Sequence, residues 1–304
     1  MKSDKIYQGT KTLPRGKAKD NLIQGCLVVE GGAFRGLYNQ GVLDALMEQD
    51  INLCCTIGVS AGALAGVNYV AGRIGASARF NLTYRHDKRY VGSSAMRRHH
   101  GLIGFRGLFG RLQRKYPLDE NRFYDPNRRF IVVATNCETG ETEYFEKGIT
   151  GDIQTAVQAS ASMPYVSEMV QVDGKKCLDG GCSCKIPYQW ALDQGYEKIV
   201  VVRTREREYR KKESSARPAR RFYRNYPAFA KKLDNSPRDY NAQCDELLAL
   251  EETGKIFTIA PSQPVRVKRI EKDMDKLGEL YYLGYRDAYQ VMDSLKTYLG
   301  IAVD

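Results

Sequence analysis

The sequence predicts an α/β protein built on a mostly parallel sheet with helices on both faces. Two observations carry that prediction: apolar runs without polar alternation, such as "GCLVVEG" and "IVVVRTR", and helical patterns lying between such runs. A strand buried on both sides reads as continuous Val, Ile and Leu, and regular alternation with helices leads to parallel pairing through crossovers.

The elements follow in order. "GCLVVEGGAF" opens as a strand at residue 25, and "GLYNQGVLDALMEQD" continues as a helix with Val42, Leu43, Leu46 and Met47 on one face. "INLCCTIGV" is a short β-favouring run, and the small residues of "SAGALAGVNYVAG" carry Ala, Leu and Val at helical spacing. "RRFIVVATNCETGETEYFE" reads as a strand, a turn at "ETGE" and a returning strand, followed by "GDIQTAVQASASM", a helix that Pro164 ends. "GYEKIVVVRTR" and "KIFTIAPSQ" are two further strands, and "DKLGELYYLGYRDAYQVMDSLKTYLG" is a closing amphipathic helix. No internal repeat is present. The expected organisation is a tail over 1–24, one domain over 25–205 with a basic helical insertion at about 85–125, and an extension over 206–304 packed on the same domain.

Composition narrows the class. The chain has 304 residues, 42% of them hydrophobic, enough for a real core. No run approaches the roughly 18 to 20 apolar residues of a membrane span, and the first 20 residues lack the apolar stretch of a signal peptide, so a cytoplasmic protein is expected. Eight cysteines lie mostly on or beside predicted strands, which favours reduced thiols, and "CSC" at 182–184 has no second Cys/His pair at zinc-like spacing, so neither metal nor cofactor is expected. The formal net charge is +11. Its longest basic stretch, "RTREREYRKKESSARPARRFYR", mixes signs and reads as a solvated loop; no nucleic-acid-binding signature accompanies it.

Three short motifs carry candidate chemistry. "GVSAG" sets Ser60 between Gly58 and Gly62 at a strand-to-helix turn, the context in which a strained serine thrusts its hydroxyl above a sheet. An ordinary turn is the competing reading. "EGGAFRG" lies between the first strand and its helix, where several backbone N–H groups converge on one point and favour negative charge. Either a phosphate or the oxyanion of an acyl transfer suits such a loop, and Ala33, standing where a dinucleotide fingerprint has its second glycine, favours the oxyanion. The serine needs a base. His86, His99 and His100 all fall in the basic insertion and none follows a strand, whereas "KKCLDGG" offers Asp179 at a strand end, with Gly180 and Gly181 behind it.

In that order, "GGAFRG", "GVSAG" and "DGG" resemble the patatin-like phospholipase family. The likeness extends through "EGGAFRGLYNQGVLDAL" and "ASASMPYVSEMVQVDGKKCLDGG" over roughly 25–205, and "GKIFTIAPSQPVRVKRIEKDMDKLGELYYLGYRDA" resembles the C-terminal extension of bacterial members. The resemblance implies a three-layer architecture and an acyl hydrolase acting on lipid or other acyl esters without a cofactor. It implies Ser60 as nucleophile, Asp179 as sole general base, and an oxyanion hole at Gly31, Gly32 and Ala33, with Arg35 and Gly36 completing the motif. Arg35 either holds the loop or touches substrate. The family usually has glycine where Ala33 stands, and an alanine is expected to fit only if its φ stays negative. A transacylase with the same Ser-Asp pair, or a non-catalytic lipid- or partner-binding protein, are the alternatives.

One further segment bears on partners. In "HHGLIGFRGLFGRLQRKYP", Phe105, Leu108, Phe109 and Leu112 recur at helical spacing beside Arg106, Arg111, Arg114 and Lys115. Such a segment suits either peripheral contact with an anionic membrane or packing on the chain's own core.

Overall fold

The computed structural model describes residues 5–92, 103–104, 114, 117–213 and 219–303. Eight strands form the central sheet: β1 (Ile23–Val29), β2 (Leu53–Val59), β3 (Arg129–Asn136), β4 (Thr142–Glu146), β5 (Val170–Val172), β6 (Lys175–Asp179), β7 (Ile199–Val202) and β8 (Phe257–Ile259). The helices that cover it are α1 (Leu37–Glu48), α2 (Ala61–Val70), α3 (Ala76–Tyr84), α4 (Ile153–Ser160), α5 (Tyr188–Asp193), α6 (Pro227–Glu252), α7 (Met274–Gln290) and α8 (Met292–Leu299). Strand order is β8, β7, β1, β2, β3, β6, β5, with β4 also paired to β3. The ladders from β8 to β3 are parallel, and those joining β3, β4, β6 and β5 are antiparallel.

Because successive side chains of a strand point to opposite faces, the continuous apolar runs feed two cores at once. Leu27 and Val29 of β1, Val132 and Ala134 of β3, and Val200 and Val202 of β7 enter one core, which α1 to α4, α7 and α8 cover. Their neighbours Cys26 and Val28, Ile131 and Val133, and Ile199 and Val201 enter the other, beneath α5 and α6. The result is a three-layer α/β architecture. All eight cysteines are free thiols, and only Cys184 is not fully buried.

Two expectations are corrected. The first is the one-sided helix at 37–48: every residue of α1 from Leu37 to Met47 is buried, not one stripe alone. The cause is α7, which lies across its outer side at backbone contact. A Cβ on Gly41 would fall on the Tyr281 carbonyl, and one on Gly284 on that of Tyr38. Hydroxyl–carboxylate bonds stitch the pair: Tyr38 to Asp287 at 3.0 Å, Tyr281 to Asp44 at 2.8 Å, and Tyr285 to Glu48 at 2.6 Å.

The second concerns the basic stretch at 203–224, read as solvated: Arg220, Arg221 and Arg224 are exposed, but 203–210 is not a solvated loop. Arg203 is 0% exposed, donating to the Cys244 sulfur and the Arg207 carbonyl. Arg207 reaches Glu251 and the Thr258 carbonyl, each at 2.7 Å, and Arg210 reaches Asp245 at 2.6 Å. The acids of α6 hold this segment down, a pairing invisible to local charge patterning. Among the described residues, no helix is long and apolar enough to cross a membrane.

Asp44 makes the α1–α7 contact sensitive to pH. Burial raises its carboxyl to about 7, against the opposing pull of the Gly75 N–H and the Tyr281 hydroxyl. The unfolded value is about 3.9. The folded chain therefore keeps a proton that the unfolded chain has lost, and this contribution to stability is complete below about pH 4 and is lost as pH rises through about 7. The urea midpoint of the wild type is expected to fall between pH 5 and pH 8, and Asp44→Asn to remove most of that fall. An equal decline in both proteins would refute the assignment.

Candidate active site

The β2 run ends at Val59, and the chain turns sharply at Ser60 before α2 begins. Ser60 has φ 55° and ψ −120°, a conformation that costs a non-glycine residue about 1–3 kcal/mol and must be held by its surroundings. Both flanking glycines are required by close backbone approach. A Cβ on Gly58 would lie 2.7 Å from the Ala63 nitrogen, and one on Gly62 would collide with the Val29 carbonyl. The Ser60 N–H donates to Ser160 Oγ at 2.7 Å, and Ser160 donates in turn to the Val133 carbonyl at 2.5 Å.

The sheet register explains how Asp179 reaches this serine. One edge of β3 pairs with β4 throughout Ile131 to Thr135. Its other edge takes the parallel β2 as far as Val59 opposite Val133, and then the antiparallel β6 from Asp179 opposite Ala134. Two strands thus run toward each other along one edge and stop one residue apart. Ser60 Oγ donates to Asp179 Oδ2 at 2.8 Å. The other carboxylate oxygen accepts the Gly181 N–H at 2.8 Å, the Asp179 N–H donates to the Ser162 carbonyl at 2.9 Å, and a Cβ on Gly180 would collide with the Val133 carbonyl. Burial raises the Asp179 carboxyl above its ordinary value; the Gly181 N–H, the Ser60 hydroxyl and the charges of Arg269 and Lys185 pull the other way.

The Gly-rich loop abuts the elbow. A Cβ on Gly31 would stand 3.0 Å from that of Ser60, one on Gly32 2.9 Å from the Thr204 hydroxyl oxygen, and one on Gly36 2.8 Å from that of Ala61. Thr204 clamps the loop by donating its hydroxyl to the Gly31 carbonyl and its N–H to Glu30. The loop corrects one expectation. Ala33 has φ 52°, not a negative value: the chain must turn directly into the short helix Ala33–Gly36, and the bonds Phe34 N–H to Arg269 carbonyl and Arg35 N–H to Gly32 carbonyl over-determine that turn. Those bonds also occupy the amide of Arg35, while Gly36 serves close packing. The amides of Gly31, Gly32 and Ala33 make no backbone hydrogen bond among the described residues, whereas those of Phe34 and Arg35 are occupied.

Ser60 stands between two cavities that share Ala33, Ser60, Met163, Arg269 and Ile270. On one side an apolar cleft is walled by Phe34, Leu64, Phe80, Tyr90, Phe123 and Val157. On the other a polar cavity of about 390 Å³ contains Asp179 and a group of basic side chains. Local sequence gave no sign that Ser160, Ser162, Lys185 or Arg269 belonged here. Arg269 sits in a loop fastened by Arg85, which donates to the carbonyls of Ile270 and Glu271, and by Arg205, which donates to that of Val265. His86 faces the Lys272 carbonyl at 2.9 Å and lines neither cavity. His99 and His100 lie outside the described residues, as do Phe105, Leu108, Phe109 and Leu112; Ile103, bridged to Val91, lines the apolar cleft. Among the described residues, no group of three or more His, Cys, Asp or Glu could hold a metal ion.

The strain at Ala33 is measurable. Left-handed backbone costs an L-residue roughly 1–2 kcal/mol, partly offset by the greater unfolded-state freedom of glycine. Ala33→Gly is expected to raise the urea midpoint, by up to about 1 kcal/mol in stability at an unchanged m-value. A drop would mean that the methyl group packs for more than the strain costs.

Comparison with known proteins identifies the family. The family model described as patatin-like phospholipase matches residues 27–192, and one described as a domain of unknown function (DUF6363) matches 226–300. The uncharacterised protein YjjU of Escherichia coli is 28% identical over 183 residues, covering 59% of this chain and 51% of its own length. An uncharacterised NTE family protein of Mycobacterium bovis is 28% identical over 168 residues, 53% of this chain and 43% of that protein. A probable lipid hydrolase of Invertebrate iridescent virus 6 is 26% identical over 183 residues, 55% of this chain and 62% of that protein. The chain thus spans about half the length of the curated relatives it matches. The crystal structure of VipD from Legionella pneumophila superposes with a TM-score of 0.46 at 15% identity, over 97% of this chain and 72% of that one. With the patatin-like model covering 27–192 of its 304 residues, this chain belongs to the patatin-like phospholipase family.

Proposed function

We propose that the chain is a lipid acyl hydrolase that cleaves carboxylic esters through a Ser60–Asp179 dyad. The observation that carries this reading is the 2.8 Å hydrogen bond from Ser60 Oγ to Asp179 Oδ2 at the junction of an apolar cleft and a polar cavity. Asp179 accepts the Ser60 proton as Oγ attacks the ester carbonyl. The amides of Gly31, Gly32 and Ala33 face the oxyanion that develops, a preorganised arrangement that needs no movement at the moment of reaction. Collapse breaks the bond to the alcohol, which leaves with the proton from Asp179, and an acyl-Ser60 ester remains. Water then gives its proton to Asp179, its oxygen adds to the acyl carbon, and Oγ leaves with that proton as the fatty acid is released.

The acyl chain occupies the apolar cleft and the alcohol portion the polar cavity. Peripheral contact with an anionic membrane belongs to the same reading, supported by the composition of 99–117 and by Ile103 in the cleft wall.

Purified protein is expected to hydrolyse p-nitrophenyl acyl esters without added calcium, and Ser60→Ala and Asp179→Asn each to lower kcat by at least about 10²-fold with melting behaviour unchanged. Wild-type turnover by either folded variant would sink the dyad.

The pH profile gives an independent check. Since the base works as carboxylate and burial raises its pKa, kcat/KM is expected to rise with pH along a limb lying above the ordinary aspartate value of about 3.9. Arg269→Met removes a charge that favours the carboxylate, so its limb is expected at higher pH still. A limb at the ordinary value, or one moved downward by the substitution, would contradict Asp179 as the base.

A further inference from the structure

The polar cavity beside Ser60 is strongly overcharged. Arg35, Lys185, Arg205, Lys211 and Arg269 face it against only Glu30 and Asp179, five basic groups to two acidic ones. None of the five forms an ion pair with a carboxylate among the described residues. Glu30 is already engaged by the Thr204 N–H at 2.6 Å, and the Nε atoms of Arg35 and Arg205 are buried with no hydrogen-bond partner among the described residues. The contacts that do hold these cations are neutral: Lys185 donates to the Gly181 carbonyl and Ser236, Arg205 lies 4.5 Å over the Tyr209 ring, and Lys211 lies 4.0 Å over that of Tyr240.

Gathering unpaired cations in a buried site is costly unless an anion joins them. The cost is visible in Lys211, whose ammonium is pushed down to about 6 by burial and by its neighbours Lys185 and Arg269, with Glu30 opposing. Arg35 is lowered to about 10 by burial, Arg205 and Arg269.

We infer that this cavity is the seat of a phosphomonoester carried by the alcohol portion of the substrate, so that the chain selects acyl glycerol phosphates over lipids with neutral or zwitterionic headgroups. The inference rests on the hydrolase reading above and narrows it. Its geometry is that of the two cavities: they meet at Ser60, so an ester bound there with its chain in the apolar cleft directs its alcohol into the cationic side. A dianionic phosphate offsets most of the excess charge and accepts the forked donors of two arginines. A choline or ethanolamine headgroup brings one more cation into a space that already has too many.

The test compares fatty-acid release from 1-acyl-glycerol 3-phosphate, the phosphocholine lipid and the monoacylglycerol, all with one acyl chain. The wild type is expected to favour the phosphomonoester at least tenfold in kcat/KM over both others. Lys211→Met keeps an unbranched side chain of similar length beside Tyr240, and the Lys211 backbone stays bonded to Asn241 in both directions, so the variant is expected to fold. Losing one charge-assisted contact is expected to cut the preference by about tenfold or more, and Arg205→Met with it to cut it further. Equal turnover of the three lipids, or an unchanged preference in Lys211→Met at a native melting temperature, would overturn the inference.

Calorimetric binding to Ser60→Ala separates it from the hydrolase reading. If no ester is turned over, that reading fails, yet binding of the phosphomonoester lipid that Lys211→Met weakens still supports the anion seat, and absence of binding overturns it. Inorganic phosphate is expected to compete far more weakly than the lipid; equal affinity would make the cavity a site for free phosphate and overturn the headgroup assignment.

Discussion

The candidate site depends on the way one edge of β3 is shared. Two strands of opposite direction occupy it end to end, and the gap between Val133 and Ala134 is where both must stop. A strand that continued past Val59 would enter the space of Asp179, so β2 has to leave the sheet there, and the positive φ of Ser60 is the means. The tight fit of Gly180 on the Val133 carbonyl and the use of that same carbonyl by Ser160 follow from the same crowding. Ladder hydrogen bonds therefore set the Ser60–Asp179 distance. The side chains are not left to find each other across a mobile cleft.

The three-layer organisation was legible in the sequence because strands buried on both faces leave an unmistakable apolar record, and "IVVVRTR" or "RRFIVVATN" could hardly be anything else. Ser60, Asp179 and the glycines beside them were legible for a similar reason: close backbone approach admits only glycine, so Gly31, Gly58, Gly62 and Gly180 mark the approach points. What failed was inference from charge. The arginines at 203–210 resemble any solvated run until α6 presents Glu251 and Asp245 to them, and Lys211 and Arg269 reach the site from segments with no apolar or glycine signature. Ala33 is a different case: the steric preference of an alanine is overridden by two neighbouring hydrogen bonds.

The region matched by the patatin-like model ends at residue 192, yet the walls of the site do not. Leu233, Pro237 and Tyr240 of α6 and the loop at 265–272 enclose the polar cavity, and Arg269 touches both cavities. The Phe34 amide, within the Gly-rich loop, ends on the Arg269 carbonyl. The segment after β7 is thus part of the site's construction. Electrostatically it supplies Arg205, Lys211 and Arg269, three of the five cations, and so sets the character of the alcohol side, while the acyl side is built mostly from the first 160 residues.

The backbone contact of α1 with α7 imposes a timetable on synthesis. Tyr38 finds its partner Asp287 only 249 residues later. At roughly 5–20 residues per second, a ribosome takes about 10–50 s to travel from the end of α1 to that point, and throughout it the helix has no cover for its outer side. Nascent chains would therefore leave the face of α1 that carries Tyr38, Gly41 and Asp44 uncovered for far longer than the microseconds in which small chains collapse, and incompletely packed surface of this kind is what makes partly folded chains prone to aggregation. A contact made only between distant segments also raises the entropic barrier to refolding from denaturant, so this closure is a natural late step in assembly.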